Sequence, residues 1–122
     1  MIKLLHVEDD PDILEIAMMA LEISGEFEVK QCSDPKDALR EAQEFAPDVL
    51  LLDLMMPGMS GDELLGHLRE LPGLETTTAI FMTARAQSHE ILALIAKGAK
   101  DVIVKPFDAL TLGDQILTIL RR

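Results

Sequence analysis

The chain has 122 residues, 48% of them hydrophobic, which is enough to fill one core and too little for two. Its 22 Asp and Glu against 11 Lys and Arg give a formal charge of -11, which opposes binding to nucleic acid or an anionic membrane through general electrostatic attraction. Cys32 is the single cysteine, excluding an internal disulfide and dithiol redox chemistry, and the lack of Trp and Tyr leaves no stacking platform for single-stranded nucleic acid. No basic leader precedes a long apolar segment, and no run approaches the roughly 20 apolar residues that span a bilayer, so a cytoplasmic protein is expected.

In chain order, the apolar run Ile2 to Val7 reads as a strand and Asp12 to Ser24 as a helix. A second strand follows from Phe27 to Cys32, where the cysteine is expected to serve as a small apolar side chain. Asp34 can cap the next helix, Pro35 to Phe45, because proline at the first helical position lacks the N–H that would be orphaned there. Val49 to Leu52 is continuously apolar between Asp48 and Asp53, which suits a central parallel strand covered on both faces. The loop from Met55 to Gly61 holds one proline and two glycines, a tight turn that leads into a helix from Gly61 to Leu71. Strand Ala79 to Met82, helix Ser88 to Lys97, strand Asp101 to Val104 and helix Ala109 to Leu120 complete the alternation.

Strands this short and apolar, alternating with helices, predict one α/β domain over residues 1–122, a doubly wound three-layer sandwich. Ligands in such folds gather beyond the carboxyl ends of the strands, near a switch in strand order. Glu8, Asp9 and Asp10 follow the first strand, Asp53 ends the third, Thr83 the fourth and Lys105 the fifth, so all converge on one edge.

Clustered carboxylates repel one another unless a cation neutralises them, and Asp9, Asp10 and Asp53 offer hard oxygen ligands suited to Mg2+. Glu8 is expected to strengthen the negative field as a neighbour, since consecutive side chains cannot all face one ion. Zinc fits poorly, with His6, His67 and His89 on different elements and Cys32 remote. An ammonium from Lys105 and a hydroxyl from Thr83 add the means to hold phosphoryl oxygens. Asp53 is then the nucleophile candidate, able to form an acyl phosphate, with a role as a third metal ligand as the alternative. The Lys105-Pro106 bond is expected to be cis, turning the lysine towards the pocket, and Phe107 to pack beneath the last helix.

Four segments together resemble the receiver domains of two-component response regulators: Val7-Glu8-Asp9-Asp10, Leu51-Leu52-Asp53-Leu54-Met55-Met56-Pro57-Gly58-Met59-Ser60-Gly61, Met82-Thr83-Ala84 and Val104-Lys105-Pro106-Phe107. The resemblance spans essentially the whole chain. It implies a flavodoxin-like, CheY-like (βα)5 fold with parallel strand order 2-1-3-4-5, helices one and five on one face and two, three and four on the other. It also implies phosphorylation of Asp53 from a phosphohistidine on a sensor histidine kinase or histidine phosphotransfer protein, with Mg2+ bound directly by Asp10, through water by Asp9, and by the Met55 carbonyl. Thr83 and Lys105 would read the phosphoryl group and move the loop after the fourth strand. The fourth helix, fifth strand and fifth helix would then present the output surface, to a downstream protein or to a second copy. Slow loss of the phosphoryl group is expected, and no metabolic activity. Val102 departs from the pattern, standing where receivers usually carry a Tyr or Phe that switches rotamer with the threonine; valine has no ring to move.

The rivals fare worse. An aspartyl phosphatase needs an acid/base carboxylate two residues after its nucleophile, and Met55 stands there. No G-x-x-x-x-G-K-[ST] run exists, and Glu-Asp-Asp-Pro after the first strand would repel a pyrophosphate. A binding module without phosphorylation would be expected to lack Asp53, Lys105 or an acidic residue, and all are present. The chain stops at Arg121 and Arg122 after the last helix, which favours a stand-alone receiver acting through protein contacts, with a receiver cut from a longer regulator as the open alternative. The apolar residues from Ile91 to Ala96 and along the last helix are expected to bury area against another protein or a second copy, with deep burial inside the monomer as the alternative.

Overall fold

A computed structural model describes residues 1–85 and 87–122. Five parallel strands, β1 (Ile2–Val7), β2 (Phe27–Cys32), β3 (Val49–Asp53), β4 (Thr78–Thr83) and β5 (Asp101–Val104), form one sheet in the order β2-β1-β3-β4-β5. Helices α1 (Pro11–Ser24), α2 (Pro35–Phe45), α3 (Gly61–Leu68), α4 (Ser88–Ala96) and α5 (Leu112–Leu120) connect and follow them. This is the doubly wound, flavodoxin-like (βα)5 sandwich, with the switch in strand order between β1 and β3.

Alternation along the strands divides the core into two layers. Leu4, Leu51, Ile80 and Ile103 point to one face and pack with Ala17, Leu21, Leu112 and Ile116 of α1 and α5. Leu5, Leu50, Leu52 and Phe81 point to the other and pack with Ala38, Leu64 and Leu94 of α2, α3 and α4. Every residue of β3 is buried, as its unbroken apolar run requires at the centre of a parallel sheet.

Two helices, α3 and α5, are shorter than expected by about a turn, each for a local reason. After Leu68 the chain tightens into turns, with Glu70 N–H bonded to the His67 carbonyl and Leu71 N–H to that of Leu68, before Pro72. Ahead of α5 the Asp108 carboxylate accepts from Leu110 N–H and its carbonyl from Thr111 and Leu112 N–H, a side-chain-closed turn that delays the helix to Leu112. The expected apolar face divides in the same region. The α5 residues Leu112, Ile116 and Ile119 are buried in the core, whereas α4 buries Leu94 and leaves Leu92 66% exposed and Ile95 42% exposed.

Cys32 ends β2 as a buried thiol that donates to Glu41 Oε2 at 3.3 Å, and burial followed by the glutamate pushes its pKa up to about 12. Phe107 packs against the α1/α5 layer. Among the described residues no helix is long and apolar enough to cross a membrane.

Candidate functional site

Asp53 is the last residue of β3, and its neighbourhood is fixed by backbone contacts before any side chain is considered. Leu54 N–H bonds to the Met82 carbonyl on β4 at 3.1 Å, and Gly61 N–H to the Leu54 carbonyl at 2.8 Å, which closes the loop between Asp53 and α3. Ser60 caps α3 in a reciprocal arrangement with Glu63, anchoring the far end of that loop. Asp53 is therefore buried at the carboxyl edge of the sheet beside the strand-order switch.

One carboxylate oxygen from each of Glu8, Asp9 and Asp53 lie within 4.8 Å of one another. Glu8 is fully buried and Asp9 exposed, so the cluster runs from the interior to solvent. Asp10 is placed elsewhere. It is the N-cap of α1, in an extended conformation, and its Oδ1 accepts from Asp12 N–H at 2.9 Å. The strand geometry sets this division: Glu8 leaves β1 on the same face as Leu4 and His6, and two residues later the chain has already turned into the helix.

Lys105 enters from the end of β5 across a cis bond to Pro106. Its Nζ lies 2.6 Å from Glu8 Oε1 and 3.0 Å from Asp53 Oδ1. Burial disfavours the ammonium, but Glu8 and then Asp53 outweigh it and raise its pKa above the usual value. Glu8 is pushed up to about 8, chiefly by burial and then by Asp53, against the pull of Lys105. Asp53 moves the other way: burial would raise it, yet hydrogen bonding with Glu8 and Lys105 outweighs burial and lowers it. Asp53 is thus the carboxylate that stays ionised. Thr83, buried at the end of β4, accepts Arg85 N–H on Oγ1 at 3.2 Å, which leaves its hydroxyl hydrogen to donate.

The structure brings together Asp9, Asp53, Thr83 and Lys105 of the expected residues at this edge, with Met55 two residues beyond Asp53 donating its N–H to Asp53 Oδ1 at 3.4 Å. Glu8, expected only to strengthen the negative field as a neighbour, is in the cluster itself. The sequence held a signal for this exchange: Asp10-Pro11 repeats the Asp34-Pro35 pattern, and both aspartates cap the helix that follows. His6 was also missed as part of this layer. It is buried in β1, its Nδ1 lies 3.2 Å from Gln31 Nε2, its Nε2 has no partner among the described residues, and burial lowers its pKa to about 4. Val102 is buried in the α2/α3/α4 layer, paired in register with Phe81.

Three carboxylates in reach of one point, with no thiolate or imidazole among them, suit a small hard cation such as Mg2+.

Comparison with known proteins agrees with this geometry. Residues 4–117 match the response regulator receiver domain. The chain is 38% identical over 120 residues to the phosphate regulon transcriptional regulatory protein PhoB of Rhizobium meliloti, covering 98% of this chain and 52% of that protein. It is 37% identical over 118 residues to the transcriptional regulatory protein CseB of Streptomyces coelicolor, covering 97% and 49%. It therefore spans about half the length of these two regulators. Among solved structures, the chemotaxis response regulator CheY4 of Vibrio cholerae superposes with a TM-score of 0.89 at 29% identity over 98% of each chain. A response regulator from Desulfuromonas acetoxidans gives 0.87 at 26% identity, covering 99% of this chain and 98% of that one. With nearly its whole length matched and the strand order shared, the chain belongs to the receiver domains of two-component response regulators.

Proposed function

We infer that the chain is a phosphorylation switch in which Asp53 accepts a phosphoryl group from a phosphohistidine on a sensor histidine kinase or histidine phosphotransfer protein. The observation that carries this reading is the shared position of Asp53, which lies within reach of the Glu8 and Asp9 carboxylates on one side and of the Lys105 ammonium on the other. Lys105 and the Met55 N–H both donate to Oδ1, so Oδ2 is the oxygen left for attack. It bonds to phosphorus as the P–N bond breaks, and the electron pair of that bond goes to the departing imidazole.

Lys105 pairs with one phosphoryl oxygen and the Thr83 hydroxyl donates to another. Mg2+, held by Asp9, Asp53, Glu8 and the Met55 carbonyl, would offset the repulsion between the carboxylate and the incoming anion. Beside Lys105 an apolar groove of about 230 Å³, lined by Ile13, Ile16, Ala84, Pro106 and Phe107, gives a donor protein a surface to rest on. The signal then passes through Thr83 to the loop before α4, of which Ala86 lies outside the described residues.

Output is read on the α4-β5-α5 face, where Leu92, Ile95 and Val104 are exposed apolar side chains for a downstream protein or a second copy. Val102 has no ring to turn, so the coupling runs through Thr83 and the loop without an aromatic rotamer. The chain acts as one cytoplasmic domain that loses its phosphoryl group slowly and has no metabolic substrate.

Intact mass after incubation with acetyl phosphate tests the reading. A gain of about 80 Da that needs both Mg2+ and Asp53 supports it, and labelling of Asp53→Asn at full stoichiometry overturns the assignment.

A further inference from the structure

Helix α1 buries Ala17, Ala20 and Leu21, all beyond its first turn, while Pro11 and Asp12 are exposed and Ile13 and Leu14 only half-buried. Packing therefore does little to hold that turn, although its cap, Asp10, follows directly on Asp9 of the carboxylate cluster. Among the described residues, one side chain from another element hydrogen-bonds to it. Gln31 of β2 sends its Nε2 to the Leu14 carbonyl at 2.7 Å and to His6 Nδ1 at 3.2 Å. A carbonyl can only accept, so the amide nitrogen faces Leu14, and its second hydrogen goes to the ring of His6, the register partner of Gln31 on β1. Leu14 in turn donates its N–H to the Asp10 carbonyl at 3.1 Å. Hydrogen bonds thus run without a break from the edge strand β2 through Leu14 to the residue next to Asp9.

Asp9 is exposed, so its carboxylate is placed by the backbone on either side, by the end of β1 and by the start of α1. We propose that Gln31 is a positioning residue for the divalent cation: it holds the first turn of α1 against β1 and β2, and so keeps Asp9 in reach of Glu8 and Asp53. The inference rests on the metal reading above. It gives a residue on the edge strand a share in cation affinity and none in the chemistry at Asp53, whose bonds to Lys105 and Met55 do not pass through α1.

Gln31→Met keeps the length of the side chain and removes both donors. Lys30→Met is the control, since it takes a polar group from the same strand, breaking the 3.5 Å pair with Glu41 of α2 and sparing the bond to Leu14. Wild type and both variants are titrated with Mg2+, followed by the amide NMR signals of Asp9 and Asp53, and labelled with acetyl phosphate at saturating Mg2+. In Gln31→Met the Mg2+ dissociation constant should rise about three- to tenfold, the share of one hydrogen bond. Its labelling rate at saturating Mg2+ should stay within about twofold of wild type, and Lys30→Met should match wild type in both measurements. A role confined to stability would lower the melting temperature and leave the Mg2+ constant of the folded chain unmoved.

An unchanged Mg2+ constant in Gln31→Met would overturn the proposal, as would an equal weakening in Lys30→Met, which would assign the effect to β2 at large. Labelling that stays slow at saturating Mg2+ would also overturn it, because the tie would then act on Asp53 itself. Absence of Mg2+ binding in wild type and both variants would overturn the metal reading, and the proposal with it. Should Gln31→Met fail to fold, Gln31→Leu carries the same expectation.

Discussion

A Cβ on Gly61 would stand 2.2 Å from the carbonyl oxygen of Asp53, and 3.0 Å from both the Asp53 carbonyl carbon and the Leu54 Cα. All three are backbone atoms, so no side chain can swing aside, and either α3 or the end of β3 must move. Gly61→Ala should therefore cost about 1–3 kcal/mol and slow acetyl-phosphate labelling of Asp53 by displacing its carboxylate. Gly66→Ala in the same helix is the control, because a Cβ there meets nothing within 4 Å. It should stabilise by about 0.5–1 kcal/mol and leave labelling unchanged. Thermal melts and labelling rates measured on both variants would show whether close approach to Asp53, rather than loss of a helical glycine, carries the effect.

Glu8 and Asp10 should part company in mutagenesis. Asp10→Ala removes the acceptor for Asp12 N–H and should lower stability by about 1 kcal/mol, with the Mg2+ dependence of labelling retained. Asp9→Asn and Glu8→Gln each replace a carboxylate of the cluster with a neutral amide, a weaker oxygen ligand for Mg2+, and should raise the Mg2+ concentration needed for half-maximal labelling. Labelling rate against Mg2+ concentration on the three variants checks this, and an Asp10→Ala curve displaced like that of Asp9→Asn would contradict the placement.

The same pair marks how far the sequence could be read. Strand and helix alternation, the buried β3 run and the edge that gathers Asp53, Thr83 and Lys105 all follow from apolar periodicity, which is local and strong. The assignment within Glu8-Asp9-Asp10 depends on where the chain leaves β1 and turns into α1, and a shift of one residue changes which side chain faces the pocket. Pro11 was the available guide, since it makes Asp10 a cap. The Lys105–Glu8 contact joins residues far apart in the chain and depends on side-chain reach, which no local pattern encodes. His6 reads as one polar letter in an apolar strand, and its bond with Gln31 appears only when β1 and β2 are in register.

On α4, Leu92 and Ile95 are exposed and contribute little to the core, in contrast to Leu94. Leu92→Ser should change stability by no more than about 0.5 kcal/mol, whereas Leu94→Ala should cost about 2–5 kcal/mol. If the α4 face is where copies meet, Leu92→Ser should also reduce any mass increase seen by light scattering on addition of an acyl-phosphate mimic. A wild-type chain that stays monomeric at high concentration with the mimic would leave self-association through this face unsupported.

His6 should make the metal-free domain acid-sensitive in a defined window. Its Nδ1 faces the Gln31 amide, so the neutral ring carries its proton on Nε2, and protonation would place an uncompensated charge in the core. The folded pKa of about 4 lies below the ordinary 6.5, with burial the main cause and Lys105 the next. The unfolded chain therefore binds more protons between those values. This stabilising contribution is complete above pH 6.5 and is lost as pH falls towards 4, by about 3 kcal/mol in all. Glu8 acts oppositely, since its raised pKa of about 8 makes the fold less stable as pH rises from 4.5 to 8. The two effects overlap between pH 4.5 and 6.5, so the total stability curve alone cannot separate them. Denaturant unfolding of wild type and His6→Leu in chelator, taken as a difference at each pH, cancels the Glu8 part. That difference should shift against wild type by about 3 kcal/mol between pH 7 and 4, and a flat difference would mean that the ring finds an acceptor when protonated.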